Sequence, residues 1–546
     1  ALRSNLRIAF NDINYLRPAT ITVADATTGA PVNPYDLSNY SLSTGNTQEV
    51  DGVDTKRTAF ANLRRDFYWR VPVSLKTGLD VREATRDFRR ENRSFSHIGA
   101  DGLARTADDN AIVTLDESIS QRIPPYGFPR VQWVDTVEFY DLYRANPSHF
   151  TTNDATAHNN RAANSKHAEE VISSAYLRGD LQFFERRLKL VGGIRAEQTN
   201  VQAEGRLLDP TLNFQRDASG KVVLGPTGTP LLIAPAGTLA AVQLTTIDRG
   251  LRAKKEYLRW FPSLNASFNL RDNLIARAGH YWSVGRPNYS QYAGALNLPD
   301  TERLPSPTNR ISVANAGIKA WSAKTTKVTL EYYFERVGLV SVGAFRRDFE
   351  NFFGSTVFQA TPEFLSLYSL DADTYGDYEV ATQHNLDSRV RMSGVDFNYK
   401  QALTFLPNWA RGVQVFANAS AQRATGEQSA NFAGYVPRTY SWGVSLSREK
   451  YKLRANWNYR GRDRNNLITG RGIEPGTFRW DSKRLYLDLS GEYALTRKLA
   501  LFANLRNVGD AGVDVNRAGP STPPHAELQV REFWGSLWTF GVKGSF

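Results

Sequence analysis

Trp534-Gly535-Ser536-Leu537-Trp538-Thr539-Phe540-Gly541-Val542-Lys543-Gly544-Ser545-Phe546 is the stretch that decides the fold. Counted back from Phe546 in steps of two, one set of positions holds Gly544, Val542, Phe540 and Trp538. The other holds Ser545, Lys543, Gly541, Thr539 and, as its exception, Leu537. A period of two with one apolar and one polar face marks a strand lying between unlike environments. In a soluble sandwich the apolar face would meet a second sheet. In a membrane barrel it would meet lipid, with the polar face on the lumen. A strand that ends on an aromatic residue suits the barrel better.

The composition agrees. The chain has 546 residues, enough for several ordinary domains. It is 41% hydrophobic and 12% aromatic, yet its mean hydropathy is only -0.44. That combination fits alternating strands, and no apolar run approaches the ~18 residues a spanning helix needs. With no cysteine, disulfides and thiolate metal sites are excluded. The net charge of +12 is spread along the chain without a basic cluster, which suits solvated loops and a lumen and gives no sign of nucleic-acid binding.

About 17 alternating segments recur. They centre on Leu6, Ile21, Leu63, Leu79, Tyr176, Ile194, Leu264, Ala278, Leu330, Val342, Phe397, Val415, Val444, Ala455, Leu487, Phe502 and Phe540. Helical periodicity is scarce; Pro362 to Leu370, with Thr361 as cap, is the clearest candidate for a loop helix. The connections alternate long and short without a break, from the long Val508–Phe533 and the short Leu495–Lys498 back to the longest, Arg89 to Lys166. A sandwich has no reason to sort its loops in this way. An up-and-down antiparallel transmembrane β-barrel does, with short turns facing the periplasm and long loops facing outside.

The same alternation carries an expectation about direction. With Phe546 on the periplasmic side, the last strand and the first both run inward, which puts Ala1 at the extracellular rim. Single-chain bacterial barrels have an even strand number and both ends periplasmic. We therefore expect residues 1–546 to be an outer-membrane barrel domain that starts part-way, with an odd number of strands upstream and Trp534–Phe546 as an exposed edge.

Three stretches resemble the TonB-dependent outer-membrane receptors of Gram-negative bacteria. Leu274 to Pro287 is similar to the family's strand that ends in an Arg-Pro pair, here Arg286-Pro287, followed by Asn288-Tyr289. Val313-Ala314-Asn315-Ala316-Gly317-Ile318-Lys319-Ala320-Trp321 resembles its Gly-Asn-Pro-x-Leu-Lys-Pro stretch, with alanines in place of both prolines. Phe502 to Val508 and the terminal Phe546 match its usual ending. The resemblance implies a barrel of about 22 strands around a plug, driven by an inner-membrane TonB energy-coupling complex. Neither plug nor coupling box lies in this chain. The resemblance also implies that Phe546 is the signal read by the barrel assembly machinery.

Candidate chemistry is confined to loops. In the longest, Asp101, Asp108 and Asp109 offer hard oxygens and Gly102 permits a tight turn, which suits a structural Ca²⁺; a solvated acidic turn is the plainer reading. Tyr126, Phe128 and Trp133 could stack on a flat ligand, or pack as the loop's own staple. His158 and His167 form no ligand pair. Arg277, Glu331 and Arg454 are expected to face the lumen, and Trp69, Trp282, Trp442, Trp457 and Trp538 to sit in interfacial girdles. No nucleophile elbow, phosphate loop or zinc motif appears, so an enzyme is not expected.

The leading expectation is energised import of a scarce solute, of the ferric chelate, corrinoid or oligosaccharide classes that the resemblance implies. A passive porin is the alternative. A secreted carbohydrate-active enzyme is a distant third, because no placed carboxylate pair is visible.

Overall fold

The computed structural model describes residues 4–13, 18–124, 127–314, 320–334, 338–351, 353–385, 389–426, 434–468, 470 and 472–545. Each segment read from the sequence is a strand. They are β1 (Leu6–Ile13), β2 (Pro18–Asp25), β3 (Thr44–Tyr68), β4 (Pro72–His97), β5 (Lys166–Phe183) and β6 (Leu188–Leu208). Next come β7 (Thr246–Arg271), β8 (Leu274–Gly285), β9 (Trp321–Phe334), β10 (Gly338–Glu350), β11 (Val390–Ala402) and β12 (Val413–Thr425). The last five are β13 (Arg438–Ser447), β14 (Tyr451–Arg460), β15 (Arg484–Ala494), β16 (Leu499–Arg506) and β17 (Leu537–Gly544).

From β3 to β17 each strand pairs antiparallel with the next, giving one continuous meander. The sequence reading put β1 and β2 in the same sheet. Instead they pair with each other, and among the described residues neither is paired with β3. The chain folds back directly after β2, so that Asp25 N donates to Ala30 O at 2.9 Å and Val32 N to Val23 O at 2.8 Å. These bonds occupy the Val23–Asp25 end of the β2 edge that β3 would have used.

Period two sorts the faces. Along β10, Val342 and Ala344 are exposed while Ser341 and Phe345 are buried. The register carries the apolar face sideways: Leu330 stands opposite Val342, which stands opposite Phe397, and Val328, Ala344 and Val395 form the next row. Leu264, Val342, Val395 and Phe540 are 53–66% exposed, far more apolar surface than a soluble sheet leaves bare. The opposite face is polar and surrounds a cavity of about 1100 Å³ lined from every strand between β9 and β17, so the sheet curls around it. Aromatic residues edge the apolar face. Trp442 and Trp457 stack at 6.3 Å, Tyr440 and Tyr459 at 5.2 Å, and Trp69 and Trp538 are exposed. Among the described residues no helix is long and apolar enough to cross a membrane.

The long connections are structured. Residues 98–165 and the segment before β3 share a core of Leu37, Leu42, Phe95, Phe139 and Phe150. That loop holds helices Thr136–Ala145 and Asp154–Asn164, capped by Asp135 and Asn153. The helix expected at Pro362 to Leu370 forms over Pro362–Leu367, with Thr361 Oγ1 accepting from Phe364 N. One feature was not anticipated: Asp463–Leu467, Phe478–Asp481, Val513–Ala518 and Leu528–Glu532, drawn from two different loops, make a separate four-stranded sheet. As expected, β17 is an edge. Among the described residues it pairs with β16 alone, and Leu537, Trp538, Phe540 and Val542 are each more than half exposed.

Candidate functional site

The polar face of the curled sheet has two levels. Near the short turns, the large cavity is lined by Lys400, Lys452, Arg454 and Lys543, against Glu331 and Glu492. Cations therefore outnumber carboxylates on that wall. Lys543 pairs with Glu492, and Arg454 lies over the Phe416 ring with its Nε donating to Asn456 at 2.9 Å. Arg277 and Glu331, expected to face the lumen, meet at 3.0 Å between β8 and β9, and Tyr333 donates to the same carboxylate at 2.8 Å. Both also line an adjoining cavity of about 560 Å³.

Closer to the long loops, a chain of ion pairs crosses the inner wall. Arg82 Nε lies 2.8 Å from Asp80, whose carboxylate is 3.9 Å from Arg195; Arg195 also holds Glu197 at 3.2 Å. Glu197 in turn pairs with Arg286, just after β8, and Arg286 is 3.7 Å from Glu170 of β5. Both glutamates are almost fully buried. The hydroxyls of Tyr257, Tyr292 and Thr199 are also buried. Tyr292 belongs to the loop that Arg286 opens, and burial raises its hydroxyl pKa far above the ordinary phenol value.

That loop is seated on the wall by backbone contact. A Cβ at Gly205 of β6 would lie 2.2 Å from the Gly294 carbonyl oxygen, and one at Gly294 would strike Ala314 at 1.9 Å. Glycine is required at both positions for the loop to approach this closely. Leu296–Asn297 then runs parallel to Leu207–Leu208 and antiparallel to Ser312–Val313, while Ile311–Val313 runs parallel to Val380–Thr382. A core of Leu251, Leu296, Ile311, Phe364, Leu365 and Val380 locks the two loops together over the strand ends. Tyr375, at its margin, has its hydroxyl pushed up to about 12 by burial.

The three acidic residues of the longest loop do not converge. Asp101 Oδ1 accepts from Leu103 N at 2.8 Å. Asp108 accepts from Ala100 N at 2.8 Å and from the Thr106 hydroxyl. Asp109 is fully buried, with Oδ2 capping Thr106 N and Oδ1 only 2.6 Å from His97 Nδ1. Among the described residues no three His, Asp or Glu side chains gather as a metal set. Phe128 is half-buried and Trp133 is 56% exposed. Their segment is tied to the connection before β3 by Gln132, which accepts from Leu37 N at 2.7 Å. Tyr126 and Phe546 lie outside the described residues. His158 meets the Thr246 carbonyl and His167 meets Asp87, each at 3.3 Å. The sequence reading singled out Arg286 only as half of an Arg-Pro pair; its partners Glu170 and Glu197 carried no signal of their own.

No curated protein matches the chain. Among solved structures, the ferric-catecholate import receptor Fiu from E. coli K12 in its closed form is 15% identical with a TM-score of 0.52, covering 94% of this chain and 57% of that one. The unliganded ferric citrate transporter FecA is 11% identical with a TM-score of 0.45, covering 98% and 57%. The copper transporter OprC is 14% identical with a TM-score of 0.46, covering 95% and 59%. The chain thus spans under two thirds of the length of each, and at these identities the likeness is one of fold. The family described as TonB dependent receptor-like, beta-barrel matches residues 3–508, almost the whole meander. The chain belongs to the TonB-dependent receptor β-barrel family.

Proposed function

We propose that this chain forms most of the barrel of an outer-membrane receptor that captures a scarce extracellular solute and delivers it to the periplasm, energised by the inner-membrane TonB complex. The observation that carries this reading is the division of faces. An apolar, aromatic-edged surface faces out, a charged surface faces the cavity, and a core-bearing loop layer covers one end. Such a sheet is stable only when hydrocarbon covers its outer face. The basic cavity wall would carry a plug or a passing anionic solute. The cargoes named for the similar structures, two different ferric chelates and copper, are unlike one another, so the fold does not choose among ferric chelates, corrinoids and oligosaccharides.

Uptake by cells carrying the full-length gene tests the proposal. A receptor loses accumulation of its solute when the TonB complex is deleted. Uptake that persists unchanged, linear in external concentration, rejects it in favour of the passive porin. For the 99–110 turn we propose a Ca²⁺ ion that draws Asp101 and Asp108 together. Calorimetry with Ca²⁺ on the full protein tests this, and no heat of binding rejects it.

A further inference from the structure

The outward face has a feature that solute import does not use. Above the apolar rows, five consecutive strands present a cation on that same face: Lys324 of β9, Arg346 of β10, Arg391 of β11, Arg423 of β12 and Arg438 of β13. Register binds them into one patch. Arg346 stands opposite Ser393, which stands opposite Arg423, and the row above runs Lys324, Asp348, Arg391. At strand spacing the five columns span roughly 19 Å. Directly beneath lie Val328, Ala344 and Val395, and the aromatic edge enters the patch itself. Lys324 Nζ sits 4.7 Å from the Trp282 ring centroid, and Arg438 is two residues above Tyr440.

Carboxylates cover only part of this charge. Asp348 is shared by Arg346 at 2.9 Å and Arg391 at 2.8 Å, and Glu350 by Lys324 at 2.8 Å and Arg389 at 3.4 Å. Arg423 and Arg438 are exposed and, among the described residues, have no carboxylate within ion-pair reach. The far wall differs. On β3 to β7 the corresponding outward positions above the apolar residues mix both signs, with Arg57, Arg252 and Lys254 among Glu83, Glu169, Glu204 and Glu256.

We infer that this patch binds the phosphate groups of lipid headgroups in the leaflet on the loop side; the inference rests on the membrane reading above. Guanidinium groups fork onto phosphate oxygens. Just above an apolar, Trp-edged band, the anion within reach is the headgroup whose acyl chains cover that band. Cations outnumber carboxylates on this flank and are matched by carboxylates on the other, so the bound lipid would occupy β9 to β13 and leave the far wall to ordinary lipid.

The test uses the full-length receptor in phosphatidylcholine vesicles containing spin-labelled phosphatidic acid, with the motionally restricted fraction as readout. We expect selectivity for phosphatidic acid over labelled phosphatidylcholine to fall about fivefold for each of Arg423→Gln and Arg438→Gln, and to weaken with salt. Arg57→Gln, on the far wall, should leave it unchanged. Selectivity that survives in the Arg423→Gln/Arg438→Gln double variant overturns the inference, as does an equal loss in Arg57→Gln. So does displacement of the lipid by an equal concentration of inorganic phosphate, which would mark a site for free anions. Vesicle flotation is read separately. Protein that fails to float rejects the membrane reading and the patch together, whereas flotation with unchanged selectivity rejects the patch alone.

Discussion

Arg286 is gripped by carboxylates from two different strands, Glu197 of β6 and Glu170 of β5, and it starts the loop that carries Tyr292. Removing it leaves two nearly buried glutamates facing each other without a counter-charge. Arg286→Ala should therefore cost about 3 kcal/mol, read by urea unfolding in vesicles, and should raise hydrogen exchange in residues 289–314. A lysine offers a point charge in place of a fork, so Arg286→Lys should recover only part of the loss. Asp108 illustrates a different local role. The Thr106 hydroxyl and the amides of Ala100 and Asp101 hold its pKa below the ordinary carboxylate value. A depressed folded pKa gives stabilisation above the unfolded value of about 3.9, lost as pH falls through the folded value. Exchange protection of the Ala100 amide should thus stay constant from neutral pH down to about 4 and decline below it. Asp108→Ala should abolish it at every pH.

At the scale of elements, period two and loop alternation were enough to centre β1 to β17, because the meander strands present an apolar and a polar face to opposite sides. Other features were not legible. Leu296–Asn297 and Ile311–Val313 are too short to show a period, and their parallel pairing with distant segments is set by the Gly205–Gly294 contact. Likewise the Glu170–Arg286–Glu197 set unites residues that become neighbours only through the register of β5 to β8. The placement of β1 and β2 was missed because the fold-back at Asp25 to Val32 is a local hydrogen-bonding choice with no apolar pattern. Three substitutions probe the fold at this scale. Gly205→Ala must push the Gly294 carbonyl away, at a cost of about 1–3 kcal/mol, and the loop carrying Tyr292 should become protease-sensitive while the barrel stays intact. Val342→Arg, on the outward face of β10, should cost about 2–4 kcal/mol. Asn398→Arg, on the cavity wall one strand away, should cost far less. Equal costs would mean that the two faces meet the same solvent.

For the molecule as a whole, the meander from β3 to β17 has strands running the same way at both margins, with the loop layer, ion-pair chain and basic cavity wall stacked along its inside. The small sheet outside the meander adds a mechanical constraint. Its central pair joins Phe478–Asp481, from the connection between β14 and β15, to Val513–Ala518, from the connection between β16 and β17. These two loops are bolted by backbone bonds and by the Arg462–Glu527 contact at 3.1 Å. A lever made in this way cannot bend at one loop alone. Whatever lifts the segment before β17 must lift the segment after β14 with it, so that the two loops behave as one flap.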